Sequence, residues 1–194
     1  MRFILVIVLA MAPSAAGAQT FLIRGGLNFA TQEWHTGGHK TRPKTLIGPH
    51  IGIGVTNTLF KKFSSQLEFG YTQLGHAGLS TGIGSTQTYS VPEDRESFLQ
   101  ATVLFKYNVD KHVNIHLGPQ LGWFVGNRQN LGDQLFSVAG GLEIFPTKHF
   151  GFGVRYLHGI TDINPDQQIS QKSRVVQASI NIRFNSHQLE EHGY

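Results

Sequence analysis

The fold of this protein is indicated most clearly by VVQASINIRF, the stretch at Val175–Phe184. From Val176 onward every second residue is apolar, and the residues between them are polar. A period of two places the apolar side chains on one face of a β-strand and the polar side chains on the other. Such a strand needs a partner at each edge, because unpaired backbone groups are costly and promote aggregation. Phe21–Phe29 has the matching pattern, so we predict that these two strands pair and close a barrel.

Six further segments alternate in the same way, which gives eight predicted strands. They span Phe21–Phe29, His50–Leu59, Ser65–Leu74, Phe98–Tyr107, Val113–Phe124, Leu135–Phe145, Phe150–His158 and Val175–Phe184. Most are close to the ~9–11 residues of a tilted membrane-spanning strand. Short turns alternate with long loops, which is typical of outer-membrane barrels with periplasmic turns. The predicted fold class is all-β, an eight-stranded antiparallel up-and-down transmembrane β-barrel.

The composition agrees with a membrane barrel. Charged residues make up 14% of the chain, against ~25% in typical soluble domains. Glycine is abundant, with 23 residues, and aromatic residues reach 11%. The absence of cysteine excludes disulfides and a lipid-anchored cysteine. The formal charge of +4 comes without a basic run, which argues against a nucleic-acid partner.

The first residues resemble an export signal. Arg2 precedes the apolar run Phe3–Met11, and Ala16-Gly17-Ala18 is a small-residue cleavage site. The apolar run is too short for a membrane helix, which needs ~20 residues. We therefore predict a signal peptide at residues 1–18, a barrel domain at 19–184 and a C-terminal tail at 185–194. Together with the barrel, this predicts the outer membrane of a Gram-negative bacterium.

The alternation leaves open whether the apolar face points inward or outward, because a soluble lipocalin-like barrel has the same period. The polar face of a soluble barrel should be rich in Lys and Glu, whereas here it carries mainly Gln, Asn, Ser, Thr and Gly. Aromatic residues at the strand ends form two candidate interfacial girdles. They are Phe21, Phe60, Phe63, Tyr107, Phe145, Phe150 and Phe184 at one end, and Phe29, Tyr71, Phe98, Trp123, Phe136 and Tyr156 at the other. We predict an apolar face in lipid and a lumen filled by side chains, since eight strands enclose little more.

The polar face carries six charged residues, which we predict to form a lumen network. They are Arg24, Glu68, Lys106, Glu143, Arg155 and Arg183. One interpretation is a proton or ion path. The favoured one is a set of mutually paired charges that fills the barrel, because unpaired buried charges are too costly. We expect Glu68 and Glu143 to pair with some of the four cations, without specifying which.

Four segments carry a resemblance to a known family. Ile23–Phe29 is similar to its G-x-K-G-G-L-N-F opening, and Phe98–Tyr107 to its Y-L-E-I-P-L-L-L-K-Y strand. Residues 118–122 match its G-P-Q-L-G element, and residues 154–163 its A-R-Y-x-x-G-L-T-D-I segment. The chain thus resembles the PorT-like outer-membrane β-barrel proteins of the Bacteroidota.

This resemblance implies an outer-membrane barrel inserted by the barrel-assembly machinery, and a few such proteins serve gliding or type IX secretion. Two features depart from the family. Gln100 and Thr102 replace its Glu and Pro, so the lumen has one acid fewer, and a tail follows the terminal aromatic Phe184.

No catalytic, cofactor or metal site is predicted. His35 and His39 are four residues apart, a spacing at which two histidines on a helix can bind one metal ion. The two glycines between them disfavour a helix there. Asp162-x-Asn164-x-Asp166 begins like a calcium loop, but Gln167 stands where the sharp turn requires glycine. The tail is a similarly weak candidate for a metal site, although it contains His187, His192, Glu190 and Glu191. The sequence has no His-x-Ser pair of the kind that lipid A deacylases use.

We therefore expect a non-enzymatic barrel that contacts outer-membrane lipid and binds a protein partner through its long extracellular loops. Candidate contacts in the first loop are Trp34, His35 and the segment Lys40–Lys44. The alternatives are a component of secretion or gliding machinery, a small channel and a soluble ligand carrier.

Overall fold

The computed structural model describes residues 19–36, 39–41, 44–77, 79–83, 87–91, 93–125, 134–161 and 170–185. This part of the chain forms eleven β-strands. They are β1 (Gln19–Thr36), β2 (His39–Thr41), β3 (Leu46–Phe60), β4 (Phe63–His76), β5 (Leu79–Ile83), β6 (Gln87–Val91), β7 (Asp94–Asn108), β8 (Val113–Phe124), β9 (Gln134–Ile144), β10 (Phe150–Gly159) and β11 (Ser170–Asn185). Within the described ranges, no helix is long and apolar enough to span a membrane.

Eight of these strands close into an antiparallel barrel, which confirms the predicted fold. The strands β1, β3, β4, β7, β8, β9, β10 and β11 pair in that order. The barrel closes where β11 pairs with β1, from Thr20↔Asn185 to His35↔Ser170. The short β2 pairs with the end of β1, and β5 pairs with β6 in a separate hairpin.

The strands extend further than predicted at the end of the barrel with the long loops. β1 runs to Thr36 instead of ending at Phe29, and β11 begins at Ser170 instead of Val175. In these extensions the outward face changes from apolar to polar, as Thr31 and Glu33 show. The apolar alternation therefore marks only the part of each strand that faces lipid, whereas the hydrogen-bonded ladder continues beyond it. At the other end, short turns at residues 61–62, 109–112 and 145–149 join the strands.

The apolar face of the sheet points outward. The exposed fractions of Ile180, Val154 and Phe105 are 49%, 50% and 61%. Arg155 and Glu68, from the alternate positions, are buried inside the barrel. This arrangement confirms the transmembrane interpretation over the soluble carrier, whose apolar side chains would fill the interior.

Two predicted girdle residues are buried in the interior instead. Phe98 and Phe145 both lie inside the barrel, so their assignment to the interfacial girdles was wrong. Side chains two residues apart on a strand lie on the same face, which explains the error. Phe98 lies on the same face as the inward-facing Gln100, and Phe145 is two residues from the inward-facing Glu143. At the same ends, other aromatic residues are exposed on the outer face as predicted, among them Phe21, Phe63, Phe150 and Phe184 at one end and Phe29, Trp123 and Tyr156 at the other.

Glycine at inward positions lets the strands and the long lumen side chains approach each other. At Gly26, on β1, an added Cβ would lie 1.9 Å from the carbonyl oxygen of Ala178 on β11. At Gly153, on β10, it would lie 3.2 Å from Nη2 of Arg24. The small cross-section of the barrel therefore depends on glycine where backbone or guanidinium groups occupy the space.

Candidate functional site: the polar lumen

The six predicted lumen residues come from six different strands, and alternation turns each of them inward. Arg24, Glu68, Lys106, Glu143 and Arg155 are almost fully buried. Arg183, on β11 near the short-turn end, is about a quarter exposed. The structure brings all six into one connected group, described here as the charge network.

Glu68 lies at the centre of the first half of the network. Arg155 donates two hydrogen bonds to its carboxylate, from Nη1 to Oε2 at 2.7 Å and from Nη2 to Oε1 at 2.9 Å. Arg24 donates to the same two oxygens from Nη1, at 3.0 Å and 3.2 Å. The side-chain amide of Gln66 also donates to Glu68. Such charge-assisted bonds in a buried site are the strong class of hydrogen bond.

Glu143 lies at the centre of the second half. The Lys106 ammonium is 2.6 Å from Oε2 of Glu143, and Nη2 of Arg24 is 3.4 Å from Oε1. Nη2 of Arg183 lies 3.8 Å from Oε2. Lys106 also donates to Gln66. Arg24 therefore contacts both carboxylates and joins the two halves.

Cations outnumber acids in this network. It contains four basic side chains and two carboxylates, so the formal balance of these six residues is +2. Two buried histidines border it. Nε2 of His116 accepts a hydrogen bond from Nε of Arg155 at 3.2 Å. His50 is only 4% exposed, and neither of its ring nitrogens has a hydrogen-bond partner in the described part of the chain.

A layer of amide and hydroxyl side chains covers the network on the long-loop side. Gln120 donates to Gln100 at 3.2 Å and accepts from the hydroxyl of Thr102 at 3.2 Å. On the opposite wall, Gln177 donates to Asn28 at 2.9 Å. The polar face could be predicted from the sequence, but this layer was not. The alternation of side chains along each strand places these residues on the same face as the charges, and this signal could have identified the layer.

Apolar side chains close the lumen beyond the amide layer. Six inward-facing members of one buried cluster lie near the long-loop ends of their strands, namely Ala30, Leu74, Phe98, Leu135, Leu157 and Val175. At the short-turn end, the guanidinium carbon of Arg183 lies 3.1 Å from the ring centroid of Phe145. In the described residues, packed side chains thus fill the lumen above and below the charge network.

A comparison with known protein families agrees with the observed fold, a closed eight-stranded barrel with an apolar outer face. The family model described as "Outer membrane protein beta-barrel domain" matches residues 2–184. The chain belongs to this family. An outer membrane β-barrel domain resides in the outer membrane of a Gram-negative bacterium, in contact with its lipid. Its short-turn end, where β1 begins and β11 ends, faces the periplasm, and its long-loop end faces the exterior.

Solved structures of other proteins share the architecture of this outer membrane β-barrel domain. Neisserial surface protein A is 11% identical over 84% of this chain and 97% of that one, with a TM-score of 0.50. Ail of Yersinia pestis is 15% identical over 87% and 99%, with a TM-score of 0.48. OprG of Pseudomonas aeruginosa is 16% identical over 87% and 97%, with a TM-score of 0.45. At such identities the likeness to Neisserial surface protein A is one of fold alone. No curated protein sequence matches the chain.

The predicted signal peptide and the motifs that the sequence argued against as metal sites fall largely outside the described residues. The signal peptide, the Asp162–Asp166 motif and the tail histidines all lie there. Around the His35/His39 pair only backbone is described, and β2 folds back on β1 through Thr36↔His39. Within the described ranges, no group of three or more His, Cys, Asp or Glu side chains is placed to hold a metal ion.

Proposed function

We propose that the protein is a non-enzymatic, non-conducting outer-membrane barrel that binds a protein partner at its extracellular end. The observation that carries the proposal is the extension of the sheet beyond the lipid-facing zone. Past the outward pair Phe29↔Val176, β1 and β11 continue through six more pairs, from Ala30↔Val175 to His35↔Ser170. At ~3.4 Å per residue this adds ~20 Å along the strand.

The outer face of this extension carries polar side chains that contact one another. Arg174 donates hydrogen bonds to the carbonyl oxygens of Gly159 and Ser173, at 2.9 Å and 3.0 Å. Its Nη2 lies 3.1 Å from Oε2 of Glu33 on β1. Above the lipid-facing zone, the Glu33 contact joins β11 to β1, and the Gly159 bond joins β11 to β10. A rigid scaffold that carries long loops is where binding functions are usually located.

A second extension lies on the other side of the barrel. Past the outward pair Tyr71↔Leu99, the strands β4 and β7 continue to His76↔Asp94. The hydroxyl groups of Tyr71 and Ser97 are 2.8 Å apart at the start of this extension. Two projecting strand pairs support an extracellular binding surface more directly than they support the secretion alternative, in which a periplasmic partner would be expected.

The filled lumen supports a closed barrel over a small channel. Planar-bilayer recordings of the purified protein test this, and we expect no stable conductance. The Phe98→Ala/Leu135→Ala variant has a thinner apolar layer, so its recordings serve as the reference for a leak current through the lumen. Discrete ion-selective openings of the unaltered protein would contradict the non-conducting part of the proposal.

Site-specific photo-crosslinking in cells tests the side on which a partner binds. A photoreactive residue at Lys44 or Arg95 reports on the extracellular end, and one at Lys111 or Lys148 on the periplasmic end. We expect a discrete protein adduct from the extracellular positions alone. An adduct confined to Lys111 or Lys148 would instead support the secretion or gliding alternative.

The finer family membership is also part of this proposal. The four segments that resemble PorT-like proteins of the Bacteroidota support it, as does the barrel itself. Insertion by the barrel-assembly machinery follows from the same reasoning. Loss of the folded, heat-modifiable form on depletion of that machinery is the expected result.

A further inference from the structure

The periplasmic turns of the barrel are strongly basic. The turns at residues 61–62, 109–112 and 145–149 contain four lysines, Lys61, Lys62, Lys111 and Lys148. In these three turns the only acid is Asp110. Its carboxylate accepts hydrogen bonds from the backbone N–H groups of His112 and Val113, at 2.6 Å and 2.9 Å. Lysines therefore outnumber the single acid by four to one in these three turns.

An apolar groove lies on the lipid-facing surface directly beside this rim. It has a volume of about 200 Å³ and runs across the periplasmic ends of β4, β7 and β8. Its outward-facing lining residues are Phe63, Phe105, Tyr107, Ile115 and Leu117. A groove of this kind on a membrane-facing surface is filled by hydrocarbon, since water there would leave the apolar side chains exposed to it.

Basic residues flank the groove on two turns. The Lys62 ammonium lies 5.9 Å from the ring centroid of Tyr107, which forms the periplasmic lip of the groove. Lys111 lies in the turn that joins β7 and β8, the two strands that supply most of the lining. The apolar groove therefore ends at the membrane surface between two positively charged turns.

We propose that this groove binds an anionic phospholipid of the periplasmic leaflet. One acyl chain lies along Phe105 and Leu117, and the headgroup phosphate lies between Lys62 and Lys111. Charge complementarity selects the occupant, because a lysine near the membrane surface attracts anionic lipid and has little net attraction for a zwitterionic headgroup. The periplasmic position of the groove assigns the lipid to the inner leaflet.

Native mass spectrometry of the full chain in detergent tests the headgroup preference, with dioleoylphosphatidylglycerol and dioleoylphosphatidylcholine as the two probes. We expect tighter binding of the anionic lipid, and a loss of about fivefold in its affinity for each lysine removed in Lys62→Gln and Lys111→Gln. The matched control is Lys172→Gln at the extracellular end, which should bind the anionic lipid as tightly as the unaltered protein does. Equal affinity for both lipids, or an equal loss in the control, would overturn the proposal.

A second measurement tests the groove itself. A phosphatidylglycerol with a photoreactive acyl chain is incorporated into vesicles with the protein, and the crosslinked residues are mapped. We expect adducts to concentrate on β7 and β8 around Phe105 and Leu117, and to decrease in Lys62→Gln/Lys111→Gln. Adducts distributed evenly around the barrel, including Val154 and Ile180 on the opposite wall, would show general lipid contact and contradict a specific site. Heat-modifiable gel mobility verifies that each variant is folded.

Discussion

Arg155 and Glu68 are joined by two parallel hydrogen bonds of 2.7 Å and 2.9 Å, although 87 residues separate them in the chain. Their strands, β10 and β4, are not neighbours in the sheet. The pair therefore crosses the lumen and connects opposite walls. Arg24 reaches the same carboxylate from β1, so three strands depend on one acid.

Removing that acid should be among the most damaging single changes. Glu68→Gln keeps the size of the side chain but leaves Arg24 and Arg155 without their shared counter-charge inside the barrel. We expect a loss of about 3–5 kcal/mol in the free energy of unfolding. Urea titration in lipid vesicles, followed by tryptophan fluorescence and gel mobility, measures it.

The control for this variant is Glu93→Gln, which breaks the exposed pair with Arg95. An exposed ion pair contributes at most about 1 kcal/mol. Comparable losses in the two variants would contradict the structural role assigned to the lumen pair.

Adjacent glycines on β1 should respond differently to the same substitution. In Gly26→Ala the new methyl group would collide with the Ala178 carbonyl oxygen, whereas at Gly25 the nearest atom is 3.9 Å away. We expect Gly26→Ala to lose about 1–3 kcal/mol or to fail to fold. Gly25→Ala should stay within about 0.5 kcal/mol of the unaltered protein. The fraction folded on unboiled gels gives both results, and the reverse order would show that the β1–β11 register is wrong.

Phe145 and Phe150 provide another matched pair, because they lie near each other in the chain but on different sides of the wall. Phe145→Ala removes a buried ring and the surface on which the Arg183 guanidinium rests, so we expect a loss of about 3–5 kcal/mol. Phe150→Ala removes an exposed ring, and lipid fills the space it leaves. Denaturant titration of both variants should therefore show the larger loss for Phe145→Ala. Equal losses would place both rings in the girdle.

The turn at Asp110 should contribute to the pH dependence of stability. Two backbone hydrogen bonds, from His112 and Val113, lower the pKa of Asp110 below its usual value. Stability from this group is thus present above the unfolded-state pKa of about 4 and is lost as the pH falls through the lower folded-state pKa. NMR titration of the carboxyl carbon in micelles measures the shift, and Asp110→Asn should remove this part of the acid sensitivity. An unshifted pKa would contradict the two hydrogen bonds.

Most of the fold could be predicted because the bilayer imposes a simple rule on the outer face. Val176, Ile180 and Phe184 alternate with polar residues because one face meets hydrocarbon, so the pattern indicates both the strand and its orientation. Outside the bilayer that rule ends. Thr31 and Glu33 on β1 have no apolar alternation, although the ladder continues through them, so the strand extensions could not be predicted.

The members of the lumen network could be predicted, but their partners could not. Arg24 contacts Glu68 on β4 and Glu143 on β9, and neither strand is adjacent to β1. Contacts across a lumen depend on strand tilt and stagger, which local sequence patterns do not specify. The inward positions of Phe98 and Phe145, in contrast, could have been predicted, because each lies two residues from an inward-facing residue of its strand.

The pairing of β11 with β1 has a consequence for biogenesis. Until the last strand arrives, β1 has an unpaired edge along nearly its whole length, which hydrocarbon does not tolerate. Stepwise insertion of single strands would thus leave backbone groups unsatisfied at every stage before closure. A nascent chain that stops before Ser170 keeps two open edges, and either edge can capture a strand from another polypeptide.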